Sequence, residues 1–172
     1  DSSMISFNEK NHYYTGQEVK PEITIKDSAH NRTLVSGTDY TVSYTNNTSV
    51  STESSKAKVT ITAANGNYTG SASAEFNIEY ANKEYMDYCT VSGTEGKDGW
   101  YSSDVTIQNK ADTNSAWGAL QFSGSPTGAF ADSYTVSAEG ETNVTIWIKQ
   151  TKTGYIGSDA TTVKIDKTAP TW

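Results

Sequence analysis

From one end to the other, the chain resolves into short runs in which apolar and polar residues alternate, each closed by a cluster of Gly, Asn, Asp or Ser. Alternation with period two puts every second side chain on one face of an extended strand. The run Asn143-Val144-Thr145-Ile146-Trp147-Ile148-Lys149 is the clearest case. Val144, Ile146 and Ile148 share one face; Thr145, Trp147 and Lys149 share the other. No window carries a helical apolar period longer than about two turns. Strands are expected over 5–7, 22–26, 39–45, 56–62 and 72–78, then over 85–91, 103–108, 117–122, 134–138, 143–150 and 161–166. Inward positions in the first set are Tyr40, Val42 and Tyr44, then Val59 and Ile61, then Ala74, Phe76 and Ile78. Turn-formers fill the gaps, among them 27–31, 45–55, 64–67, 93–99, 124–128 and 154–157.

Composition supports strands over helices. Leu occurs only at Leu34 and Leu120, while Thr, Ser, Tyr, Val and Ile take up the room. These residues suit a pleated, half-buried surface. The hydrophobic share is 34%, but an aromatic share of 11% supplies core volume that a disordered chain lacks. The pattern predicts an all-β chain of two tandem immunoglobulin-like antiparallel β-sandwiches, residues 1–80 and 81–172. The junction near 79–83 has neither Pro nor a Gly/Ser run, so limited hinge freedom is expected.

Charge and cysteine usage remove several function classes. Thirteen basic against twenty acidic residues give a net charge of −7, a field that repels nucleic-acid phosphates and anionic lipid. No run approaches the roughly 18 apolar residues that span a bilayer. Cys89 is the only cysteine, so neither an intrachain disulfide nor a multi-cysteine metal site can form. It reads as a small apolar strand residue.

Candidate chemistry is sparse. The histidines are His12 and His30, both beside turns, and no Gly-x-Ser-x-Gly elbow occurs, so no enzyme is expected. Asp98, Asp104, Asp112, Asp132, Asp159 and Asp166 give the second half carboxylates of the kind that bind calcium, with Asp112-Thr113-Asn114-Ser115 the densest loop. That loop lacks the Asp-x-Asp-x-Asp-Gly spacing, and Asx turns account for the same residues, so no metal and no cofactor are expected. The sharpest binding hint is aromatic. Trp147 lies opposite a core face and Tyr155 follows in a Gly-flanked loop, a pair suited to stacking on a sugar ring. Burial of the large aromatics in the core is the competing reading.

Residues 4–80 carry Tyr14-Thr15-Gly16, Val19-Lys20-Pro21, Gly37-Thr38-Asp39-Tyr40, Tyr44 with Asn46-Asn47, Asn67-Tyr68-Thr69-Gly70 and Phe76-Asn77-Ile78. In this order they resemble the YTG-type immunoglobulin-like repeat of Firmicutes cell-surface proteins, departing at 48–55, where the family has a short Gly-containing turn. Residues 83–172 are similar to another bacterial Ig-like type, through Gly99-Trp100-Tyr101, Gly140 to Ile148 and the ending Asp166-Lys167-Thr168-Ala169-Pro170. The resemblance implies a tandem array at the cell surface or secreted, a segment of a longer protein, and no catalytic residues. It implies a structural spacer whose partners are the neighbouring domains of that protein. The alternative is an adhesin or carbohydrate-binding module that meets host or cell-wall glycans or proteins through Trp147 and Tyr155.

Overall fold

The computed structural model describes residues 1–81, 84–110 and 116–168. The regular structure there is strand, apart from single 3-10 turns at Ser2–Met4 and Tyr85–Tyr88. The chain divides into two compact units, Asp1–Glu79 and Tyr80–Trp172.

In the first unit the strands are β1 (Ile5–Phe7), β2 (His12–Tyr13), β3 (Ile23–Asp27), β4 (Arg32–Thr33), β5 (Tyr40–Thr45), β6 (Ala57–Ala63), β7 (Ser71–Phe76) and β8 (Ile78–Glu79). They form antiparallel sheets ordered β1-β3-β4 and β5-β6-β7, plus a parallel pair, β2 with β8. Alternation dictates the core. Val59 and Ile61 are buried in β6 while Lys58 and Thr62 face water, and Ile25 fills the centre of β3. The Phe7 and Phe76 rings, 5.5 Å apart, join the two larger sheets. Tyr44 donates its hydroxyl to the Pro21 carbonyl at 2.7 Å, fixing the segment that leads into β3.

The second unit contains β9 (Cys89–Ser92), β10 (Val105–Asn109), β11 (Leu120–Ser123), β12 (Ser133–Val136), β13 (Gly140–Gln150) and β14 (Ile156–Ile165). Its antiparallel sheets run β12-β10-β9 and β11-β13-β14. Ten paired positions hold β13 to β14, from Gly140 opposite Ile165 to Lys149 opposite Ile156. The hairpin turns at Gly154, whose φ of 75° a side chain would resist; its N–H donates to the Gln150 carbonyl at 2.9 Å. Ile146, Ile148, Leu120, Phe122, Val105 and Ile107 close the core.

Several expected strands differ from the structure. Residues 85–88 make a 3-10 turn instead of the start of a strand. Tyr85 is sunk in the core, and the Met86 N–H is bonded to the Asp159 carboxylate at 2.8 Å, which curls the backbone. β14 begins five residues before position 161, because pairing with β13 draws Ile156 and Gly157 out of the expected turn and into the ladder. β7 and β8 are separate: β7 pairs with β6, whereas β8 leaves that sheet for β2.

Candidate functional site

Trp147 sits in β13 between Ser123 of β11 and Ser158 of β14. Its neighbours Ile146 and Ile148 point into the core, so the indole takes the outer face and is half-buried there. Its ring meets Tyr80, at 4.6 Å between centroids and 61° between planes, and Tyr80 is 36% exposed. Tyr155 lies at the end of the hairpin turn, half-buried, with its carbonyl accepting from the Gln150 N–H at 3.0 Å. That bond sets Tyr155 opposite Gln150, which by alternation occupies the face turned away from Trp147. The aromatic partner that the fold gives Trp147 is therefore Tyr80. Sequence reading missed it because Tyr80 stands outside any alternating run.

Four of the candidate carboxylates accept from donors within the fold. Asp132 accepts from Gln121 at 3.1 Å, Asp159 from the N–H groups of Met86 and Ala160, and Asp166 from the Thr168 N–H at 3.0 Å. Asp104 takes Lys167 at 3.0 Å, and that ammonium bond holds its carboxyl below the usual range. Asp112 to Ser115 lie outside the described residues. Among the described residues, no group of three or more His, Cys, Asp or Glu is placed to hold a metal ion.

Two acidic clusters organise the first unit. Asp27 accepts from the Ala29 N–H, from His30 Nδ1 at 2.7 Å and from the Tyr68 hydroxyl at 3.1 Å. The His30 bond lowers the Asp27 pKa, and burial together with the Asp27 acceptor raises that of the phenol. Asp39 accepts from the Val35 N–H, from Arg32 through both oxygens at 2.9 and 2.8 Å, and from Asn65 at 3.1 Å. The Val35 N–H is the largest cause of its lowered pKa. Both clusters tie turns to strands, an Asx role for the first and a loop anchor for the second. Cys89 is buried at the start of β9, and loss of solvation pushes its thiol up to about 11. A thiol so placed is a poor nucleophile.

Both units share one arrangement, a parallel pairing of an early segment with the last strand. In the first, β2 runs parallel to β8, with His12 opposite Ile78 and Tyr13 opposite Glu79, and the Tyr14 N–H reaches the Glu79 carbonyl at 2.9 Å. In the second, Ala81 is bridged in parallel to Gly157 of β14, its N–H donating to the Ile156 carbonyl at 2.9 Å. Farther along, Tyr101 bridges Ile165, the last residue of β14, also in parallel. In each unit an early segment is thus laid alongside the final strand in the same direction. Tension on the two chain ends drags such a pair along its axis in opposite senses. The hydrogen bonds then bear load together, whereas an antiparallel pair pulled at one end opens bond by bond.

No family model matches the chain, and neither a curated protein nor a solved structure does so.

Proposed function

We propose that the chain is a non-catalytic spacer of a bacterial surface or secreted protein: a pair of immunoglobulin-like modules that carries tension while presenting other domains of the same protein. The parallel bonding of an early segment to the last strand of each unit carries this reading. Release of β1 from β3 still leaves β2 held against β8, so the first unit keeps a bonded pair in the load path. The acidic, Thr- and Ser-rich surface suits a module exposed to water on most sides. The YTG-type sequence resemblance supplies the cell-surface context.

Single-molecule stretching of the whole chain tests the load-bearing role. The units contain 79 and 172 − 79 = 93 residues, so their rupture steps release about 28 and 33 nm at ~3.5 Å per residue, before subtracting the folded spans. Handles at the chain ends load the parallel bonds together. Handles at Ala138 and the C-terminal end unzip β13 from β14 one pair at a time. The expected result is a clearly higher rupture force for the second unit when pulled from its ends. Equal forces in both geometries would sink the reading.

A second reading, adhesion to sugars, draws on Trp147 half-exposed on the outer face of β13 beside Tyr80. The 61° between the rings offers no flat two-ring platform, so this reading relies on the partly exposed indole alone. A glycan-array signal lost in Trp147→Ala supports this reading; a blank array in the unaltered protein rejects it.

A further inference from the structure

We propose that His12 makes the parallel pair of the first unit a proton-sensitive latch, closed while the imidazole is neutral and loosened once it is charged. The proposal rests on the load-bearing reading of β2 and β8 and adds a means of regulating it. His12 occupies half of β2 and stands opposite Ile78 of β8. Its side chain is 7% exposed and wedged between two phenyl rings: Phe7 at 5.5 Å and 60°, Phe76 at 5.2 Å and 79°. Those rings join the two larger sheets, so the imidazole fills the point where β1, β2 and β7 meet.

No side-chain hydrogen bond within the described residues holds the imidazole, and since no fully buried side-chain nitrogen there lacks a partner, its nitrogens reach the solvent of a groove lined by Asn8, Glu9, Lys10, Glu75, Asn77 and Glu79. Charged groups line this groove from each element around the ring, Glu9 and Lys10 from the β1–β2 loop, Glu75 from β7 and Glu79 from β8, and of these Glu9 is the one that pulls on the imidazole. Burial disfavours the imidazolium and outweighs the pull of Glu9, so the pKa lies below the ordinary 6.5. The sign follows from proton linkage. As pH falls through 6.5 the unfolded chain takes up a proton that the folded one refuses, and stability drops until the folded-state pKa is reached. Once charged, the ring gains by turning farther into the groove, toward more water and the carboxylates there, and that motion loosens its packing on Phe7 and Phe76. Besides this packing, β2 is kept on β8 by the backbone pairing of its two residues and by the Tyr14 N–H bond to the Glu79 carbonyl.

The chain has two histidines, so the His12 imidazole NMR signal can be assigned by its persistence in His30→Asn and followed between pH 8 and 4.5. His12 is expected to titrate below 6.5. In end-to-end stretching, the shorter rupture step is expected to weaken from pH 7.5 to pH 5 while the longer one holds. His12→Phe keeps a ring in the wedge and removes the pH effect; His12→Leu serves if the larger ring disturbs packing, and His30→Asn leaves the effect in place. A His12 midpoint at or above 6.5 overturns the latch, as does an unchanged pH effect in either His12 variant. A first-unit rupture force at pH 7.5 no higher end to end than with handles at Lys56 and Asn77, which unzip β6 from β7, overturns the load-bearing pair itself, whatever His12 does in the titration.

Discussion

Gly157 offers the sharpest test of the parallel bridge in the second unit. Its backbone lies so close to the incoming chain that an added Cβ runs into the Ala81 carbonyl oxygen, with the Ala81 carbonyl carbon at 2.9 Å and Tyr85 Cε2 at 3.0 Å. Neither neighbour yields easily. Ala81 is 2% exposed and backbone-bonded, and Tyr85 is fully buried with its hydroxyl accepting from Gln150 at 3.1 Å. Gly157→Ala therefore displaces Ala81 from β14. Overpacking costs about 1–3 kcal/mol. Loss of the Ala81 N–H bond to Ile156 adds about 1 kcal/mol. Together these give about 2–4 kcal/mol for this unit. At about 4–8 °C per kcal/mol, even the smaller figure lowers its melting temperature by about 8 °C. Calorimetry reads that fall, and stretching reads a lower force in the longer rupture step alone. Gly66→Ala is the control, because a Cβ there meets nothing within 4 Å; it is expected to stay within about 0.5 kcal/mol. If Gly157→Ala also stays within about 0.5 kcal/mol, the bridge is not holding the incoming chain and the reasoning fails.

Two further outcomes follow from the buried groups. The Asp39 pKa is depressed, so its contribution to stability is complete above the ordinary carboxylate range near 3.9 and drains away as pH falls from there through the folded-state pKa. Denaturant midpoints at pH 5 and pH 3 are expected to separate widely for the unaltered chain and much less for Asp39→Asn, which also starts lower at pH 5. The Cys89 thiol, pushed up to about 11 and 5% exposed, has a thiolate fraction of about 10⁻³ at pH 8. A thiol reagent at pH 8 is expected to leave the native chain unlabelled over hours and to modify it within minutes in denaturant. Fast labelling of the native chain refutes the buried placement.

The sequence announced strands where alternation and burial agree. Val59 and Ile61 in β6, and Ile146 and Ile148 in β13, are inward because strict alternation over several residues leaves one register that buries them. The same logic placed Trp147 on an outer face. It failed where long-range pairing decides local structure. Tyr85-Met86-Asp87-Tyr88 looks strand-like, yet a carboxylate 73 residues downstream bends it into a turn. Gly154 to Gly157 has turn composition, but pairing with β13 draws its last two residues into β14. His12 and Tyr13 form a strand too short to show any period. Their bond to β8 joins distant positions, and no local pattern carries that information. The parts of the candidate site that sequence missed, Tyr80, Ala81 and the pairing of His12 with β8, are all of this kind.

That long reach governs the order in which the molecule is completed. The β13–β14 hairpin joins neighbours across the five residues 151–155 and can close as soon as Ile165 is available, since local contacts carry little loop-closure cost. The β2–β8 pair spans 78 − 12 = 66 residues, and its second strand is the last piece of its unit to be made. During synthesis or threading through a pore, the first unit thus passes its whole length unlocked. On the proposed load-bearing role, it gains resistance to pulling only when Ile78 and Glu79 arrive, so a chain still in transit stays extensible and a finished one does not.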